Sequence, residues 1–253
     1  MITRREILKA ALALACGCFH PRRAACAETA YPHFFFTQIR YRGGAWDPNP
    51  DFAEAIVEEL ELRTSIDAAR ERRMTDLSGT DLFFAPFLYL AGKYEFEPFT
   101  PGEREILKRY LTFGGFLFAE DTLALKGSGF DRAFRAEMKK IFPQQDFKRL
   151  PLDHPVYQSF YLINQIGGRQ IVSPYFEGIT VDSWTPVIYS QNDLSGSWSR
   201  DKLGRWTHEC APGGEAQRAL AFKAGINVIV YSLTSDYKRD LVHHPFIRKR
   251  LGP

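Results

Sequence analysis

Three stretches decide the fold: Asp81–Leu90 (DLFFAPFLYL), Thr100–Glu103 (TPGE) and Gly115–Ala119 (GFLFA). The first is almost continuously apolar, which suits a strand buried on both faces of a parallel sheet. Pro86 inside it marks a place where the strand ends or bulges, because proline has no N–H for the ladder. Thr100 and Glu103 frame a capping box, with Pro101 at the first helical position. Ile106, Leu107, Tyr110 and Leu111 then give that helix its buried stripe, and Gly114-Gly115 closes it. Gly115–Ala119 returns as a second buried strand, tipped by Glu120 and Asp121.

The same alternation extends outward. Phe34–Arg40 (FFFTQIR) is short, apolar and β-prone, and reads as the first strand. Asn49-Pro50 offers a cap and a first-turn proline. Phe52, Ile56 and Leu60 follow at helical spacing, predicting a helix from about Pro50 to Arg63. Phe130, Phe134, Met138 and Ile141-Phe142 mark a third helix. Leu150–Gly168 reads as irregular and aromatic, Trp184–Ser190 as a strand, and Gln191–Gly214 as a long polar loop holding Trp198 and Trp206. Glu215–Ala224 reads as a helix; Ile226–Leu233 fits either a strand or the continuation of that helix. Strands alternating with helices predict an α/β fold, a mainly parallel sheet flanked by helices. With 45% hydrophobic residues, 21 Phe and 11 Tyr, the chain can bury a sizeable core. No domain linker or repeat interrupts it.

The N-terminus carries a different message. Arg4-Arg5, then Ile7-Leu8-Lys9, a short apolar run to Phe19 and Ala25-Cys26-Ala27 form an export signal of the twin-arginine type, expected to span residues 1–27. The apolar run is too short to cross a bilayer. The expected mature domain, residues 28–253, would act in the periplasm or outside the cell after passing the twin-arginine translocase. A lipid anchor at Cys16, after Ala13-Leu14-Ala15, is the alternative. The segment holds Arg4, Arg5, Lys9, Arg22 and Arg23 against Glu6, so its removal takes the formal +3 of the whole chain to about −1. The basic character belongs to the signal, and nothing electrostatic in the remainder calls for nucleic acid. Cys16, Cys18 and Cys26 also lie in the signal. Cys210 alone remains, and the fold must rest on its core without a disulfide.

Phe34–Arg40 leading into Gly43-Gly44-Ala45-Trp46, the unit Asp81–Asp121, Asp153-His154-Pro155, the segment Tyr189–Trp198, and Ile226-Asn227 through Tyr231 together resemble the bacterial family catalogued as domain of unknown function 4159. The resemblance covers nearly all of the mature chain. It implies a class I glutamine amidotransferase-like (flavodoxin-like) three-layer architecture, similar also to proteins of the trehalose-utilisation type, and carries no established activity. Active amidotransferases hold a nucleophilic cysteine on the turn after the strand that Gly115–Ala119 matches. Here that position falls at Glu120 or Asp121, and the Pro86–Tyr89 region lacks paired glycines for an oxyanion hole. Glutaminase chemistry is therefore not expected.

Several residues remain as candidates. Glu120 and Asp121 stand at a strand's C-terminal end, where open α/β sheets bind ligands; they suit acid–base or metal work, or else helix capping and pairing with Arg40 or Arg42. Arg40 and Arg42 flank Tyr41 before a glycine turn and could pair with an anion. Asp153 beside His154 could orient the imidazole as a base, or mark a turn. Asn192, Asp193 and Trp198 have the makings of a carbohydrate platform, and equally of a loop that buries its indole. His208 with Cys210, and His243-His244, lack the paired spacing of zinc ligands, so no metal is expected. Two functions follow as expectations. One is a non-catalytic envelope domain binding a polar small ligand or a protein partner, the latter extending to a scaffold whose aromatic loops form the interface. The other is a hydrolase on a carbohydrate or cell-wall substrate using Glu120, Asp121 or Asp193, with His154 assisting. Neither names a cofactor.

Overall fold

The computed structural model describes residues 34–79 and 81–251, with side chains through residue 234. The expected export signal, and the side chains of His243 and His244, lie outside the described residues.

Seven strands form one sheet: β1 (Thr37–Ile39), β2 (Arg73–Thr75), β3 (Phe87–Gly92), β4 (Phe116–Asp121), β5 (Lys148–Arg149), β6 (Glu177–Val181) and β7 (Trp184–Ser190). Their spatial order is β2-β1-β3-β4-β7-β6-β5. The pairings from β2 to β7 are parallel, and β6 and β5 add an antiparallel edge. Among the described residues, five α-helices accompany them: α1 (Phe52–Arg63), α2 (Pro101–Thr112), α3 (Gly129–Ile141), α4 (Leu194–Trp198) and α5 (Gly214–Leu251). The fold is α/β, with a mixed but mainly parallel sheet and flanking helices.

Strand side chains alternate between faces, and here both faces are apolar. Phe87, Tyr89 and Ala91 of β3 join Phe36, Phe118 and Ile188 against Phe52, Ile56 and Leu60 of α1 and Ala221 and Ile229 of α5. Leu88 and Leu90 join Ile39, Leu117 and Val187 against Leu107 of α2 and Phe134 and Met138 of α3. Burial on both sides explains why β3 and β4 read as unbroken apolar runs.

The capping box forms as the sequence predicts: Glu103 N–H donates to Thr100 Oγ1 at 3.2 Å, and Thr100 N–H donates to Glu103 Oε2 at 2.6 Å. Other expectations are corrected. Asp81–Leu90 is not one strand. Asp81–Phe84 is a 3-10 turn, and β3 starts at Phe87, after the proline that cannot donate to a neighbouring strand. The turn leaves Phe84 85% exposed. Helix α1 starts at Phe52 with Asp51 at its cap position and no side-chain cap bond; Asn49 is used elsewhere. Strands β2, β5 and β6 were not expected, being short and, in β2 and β5, polar. Ile226–Leu233 belongs to helix α5. The supposed polar loop after β7 begins as nine consecutive buried residues, Gln191–Ser199, and contains α4. Among the described residues, no helix is long and apolar enough to cross a membrane.

Candidate functional site

Parallel pairing of β4 with β7 sets Glu120 opposite Ser190, so Glu120 and the chain leaving β7 meet at the sheet's C-terminal edge. Glu120 points to the α1/α5 face and is 0% exposed. Its Oε1 accepts from Tyr89 Oη at 2.6 Å and from Ser195 N–H at 2.9 Å, and its Oε2 accepts from Leu194 N–H at 2.8 Å. Burial and the neighbouring charge of Asp193 push its pKa up to about 7, against the lowering effect of hydrogen bonds from Ser195 and Tyr89. The Tyr89 phenol is driven well above its ordinary range by burial and by Glu120.

Asp193 takes the other half of the same helix start. It sits in the left-handed region at φ 54°, a conformation that Asp tolerates better than most residues, and is 1% exposed. Its Oδ1 accepts from Gly196 N–H at 2.9 Å and from Asn49 Nδ2 at 2.8 Å, and its Oδ2 is paired with Arg169. Burial nevertheless raises its pKa, opposed by the Arg169 charge. Asn49 also donates to Ser195 Oγ at 2.9 Å, tying the approach to α1 onto this knot. That is why it does not cap α1.

Asn192 is equally committed. Its Oδ1 accepts from Val172 N–H at 2.9 Å and Ser173 N–H at 3.0 Å, and its Nδ2 donates to Ser173 O at 2.7 Å and Gly167 O at 3.3 Å. The amide clamps the 167–173 loop against β7. Gly168 makes this approach possible: at φ 154°, a Cβ there would lie 2.2 Å from Asn192 O. The loop delivers Arg169, whose Nη2 also donates to Thr122 O at 3.2 Å.

Glu120 and Asp121 do not form a paired carboxylate site, because successive strand residues face opposite sides of the sheet. Asp121 lies on the α2/α3 side, where its Oδ2 accepts from Ser128, the N-cap of α3, and its Oδ1 accepts from Leu123 N–H at 2.8 Å. Burial pushes its pKa up to about 6.

The remaining candidates lie apart. Arg42 pairs on the surface with Glu97 at 3.4 Å and Glu103 at 3.2 Å. Arg40 lines a cavity of about 610 Å³ on the β2 side, with Arg73, Asp76 and Asp81, and its charge helps lower the Asp76 pKa, after hydrogen bonds from Ser78. Neither arginine pairs with Glu120 or Asp121. His154 caps the 3-10 turn Pro155–Tyr157: Val156 N–H donates to its Nδ1 at 3.2 Å, and its Nε2 lies 3.0 Å from Thr185 Oγ1. Thr185 is near the start of β7 and Ser190 at its end, so His154 sits roughly 17 Å from the carboxylates at ~3.3 Å per residue. Trp198 is 0% exposed, packed by Phe52 and Phe222; it is core, not a sugar platform. Cys210 is buried, and burial pushes its thiol up. Among the described residues, no group of three His, Cys, Asp or Glu could hold a metal ion.

Sequence reasoning passed over Tyr89, Arg169 and Ser195, and read Asn49 only as a helix cap. Tyr89 was hidden in an apolar run. Arg169 carried a usable signal, the Gly167-Gly168 pair before it, of the same kind as the Gly43-Gly44 turn that was noticed.

The family described as Domain of unknown function (DUF4159) matches residues 35–233 of this chain. This covers the whole sheet and the site. No curated protein matches the chain.

Proposed function

We propose that the chain, which belongs to the DUF4159 family, is a non-catalytic binding domain of the bacterial envelope, exported through the twin-arginine route and working outside the cytoplasm. Its architecture is of the class I glutamine amidotransferase kind with the nucleophile lost, and its ligand or partner docks at the C-terminal ends of β3, β4 and β7. One observation carries this reading: Glu120, Asp121 and Asp193 are all buried and each accepts a backbone N–H. A general acid or base must reach a substrate proton, and these oxygens are occupied in holding the strand ends together. β4 ends in Glu120-Asp121, where an amidotransferase would place its cysteine, and β3 ends in a single glycine, Gly92, packed against Tyr41 and Phe130. The hydrolase alternative needs His154 beside the carboxylates, and it stands at the other end of β7.

The test compares the wild-type chain with Glu120→Gln and Asp193→Asn on glutamine, a panel of aryl glycosides and peptidoglycan. The expected result is no turnover above the uncatalysed rate in any of the three. Turnover by the wild type that disappears in a folded Glu120→Gln variant would overturn the reading.

A further inference from the structure

We infer that the strand edge carries an anion site built from Lys93, Arg169 and His208, taking the phosphate or carboxylate group of a small polar ligand. The inference rests on the binding-domain reading and names the ligand chemistry of that same edge.

Three segments bring the cations together. Gly92 O, at the end of β3, accepts from Thr122 N–H at 2.9 Å and from Thr122 Oγ1 at 3.0 Å. Thr122 O in turn accepts from Arg169 Nη2. Lys93 follows Gly92 directly, so one hydrogen-bonded relay links the Lys93 backbone to the Arg169 guanidinium. The third segment is the chain before Cys210, anchored where Ala211 N–H donates to Arg169 O at 2.9 Å and Arg218 Nη2 donates to His208 O at 2.8 Å. His208 registers the result. Burial first, and then the charges of Arg169, Lys93 and Arg218, hold its imidazole below the usual range, with Asp193 acting in the opposite sense.

The local charges do not cancel. Asp193 is spent on Arg169, and Glu215 on Arg218 at 3.0 Å. Lys93 is half-buried, and among the described residues neither its ammonium nor the His208 ring has a side-chain hydrogen-bond or ion-pair partner. Arg169 keeps its Nη1 uncommitted on a side chain 24% exposed. With Arg169 and Arg218 already paired, Lys93 is left, among the described residues of this edge, as the unpaired cation and Nη1 of Arg169 as a second free donor, and the place is where α/β sheets receive ligands. A bound oxyanion would accept from Lys93 and Arg169 and would stabilise the imidazolium of His208, so binding favours proton uptake by the ring.

The experiment titrates the full chain with inorganic phosphate and, separately, with succinate, following the His208 ring resonances by NMR, with His208→Gln to assign them. Saturation is expected with at least one anion, with the His208 pKa rising by about one unit. Lys93→Met should weaken that binding about tenfold or more and Lys93→Arg should restore it, with near-ultraviolet circular dichroism unchanged in both. Saturation by phosphate alone identifies a phosphorylated ligand, and saturation by succinate alone a carboxylate. If neither anion moves His208, or if Lys93→Met binds as the wild type does, the site is refuted. The binding-domain reading would survive that result, because only turnover overturns it.

Discussion

Glu120 and Asp193, at the ends of adjacent parallel strands, divide one helix start between them. Glu120 accepts the amide protons of Leu194 and Ser195, and Asp193 accepts that of Gly196. Three successive N–H groups of a five-residue helix, which such a helix cannot satisfy by itself, are thus met by two buried carboxylates. The strand edge where open α/β sheets bind ligands is here braced by its own acids.

Removing one brace should be costly. Glu120→Ala leaves two backbone amides and the Tyr89 hydroxyl without their acceptor, at about 1–3 kcal/mol per buried group. The expected loss is about 3–5 kcal/mol in urea denaturation, with Glu120→Gln losing about half as much because it keeps one acceptor oxygen. A loss below about 1 kcal/mol for the alanine variant would mean that Glu120 does not hold the helix.

The same carboxylate predicts a pH dependence. Its folded pKa of about 7 lies above the ordinary 4.5, so the native state binds more protons than the unfolded chain between those values. Stability from this group is therefore full below about pH 4.5 and is lost as pH rises through 7. Glu120→Gln does not titrate at that position. The stability of the wild type minus that of the variant should shrink from pH 5 to pH 8, and a flat difference would contradict the assignment.

Gly168→Ala should break the clamp on the 167–173 loop, since a Cβ would meet a backbone oxygen in a conformation few L-residues adopt. Overpacking and strain together predict a loss of about 3 kcal/mol. Asn192→Ala removes the other side of the same clamp. A double-mutant cycle should therefore show the two losses to be less than additive; full additivity would mean that the loop is held by something else.

Trp198 offers a test of core against surface. Trp198→Ala should cost about 3–5 kcal/mol without altering affinity for any soluble sugar. In the wild type its indole should resist acrylamide quenching, whereas the half-buried Trp206, flanked by Arg200 and Arg218, should be reached. Strong quenching of Trp198 would place it at the surface.

The legible parts of the sequence were those where local chemistry and tertiary structure agree. The α2 cap is written in four adjacent residues, and β3, β4 and β7 announce themselves because both sheet faces are apolar. Pro86 already pointed to the boundary that the structure places just after it. Strand β2, Arg73–Thr75, and strand β5, Lys148–Arg149, carry no such pattern. They are short edge segments whose pairing is decided by the neighbours that reach them.

Glu120 and Asp121 were correctly placed at a strand's end, but adjacency in sequence suggested a pair where the pleat enforces separation onto opposite faces. His154 was read either as a helper to the carboxylates or as part of a turn; it caps the turn Pro155–Tyr157, and the strand length puts it at the other end of β7. Gln191–Ser199 reads as a polar loop because residue type reports the cost of burial, not whether partners are supplied. Asn49, Glu120 and Arg169, from 24 to 144 residues away, supply them.

By itself the sequence determined the α/β class and the apolar strands with their helices, because these depend on residues close along the chain. Only the tertiary structure decided which polar groups are spent and which are available. A carboxylate's role is set by the donors brought to it across the fold, and strand pairing and loop return, not local spacing, choose those donors.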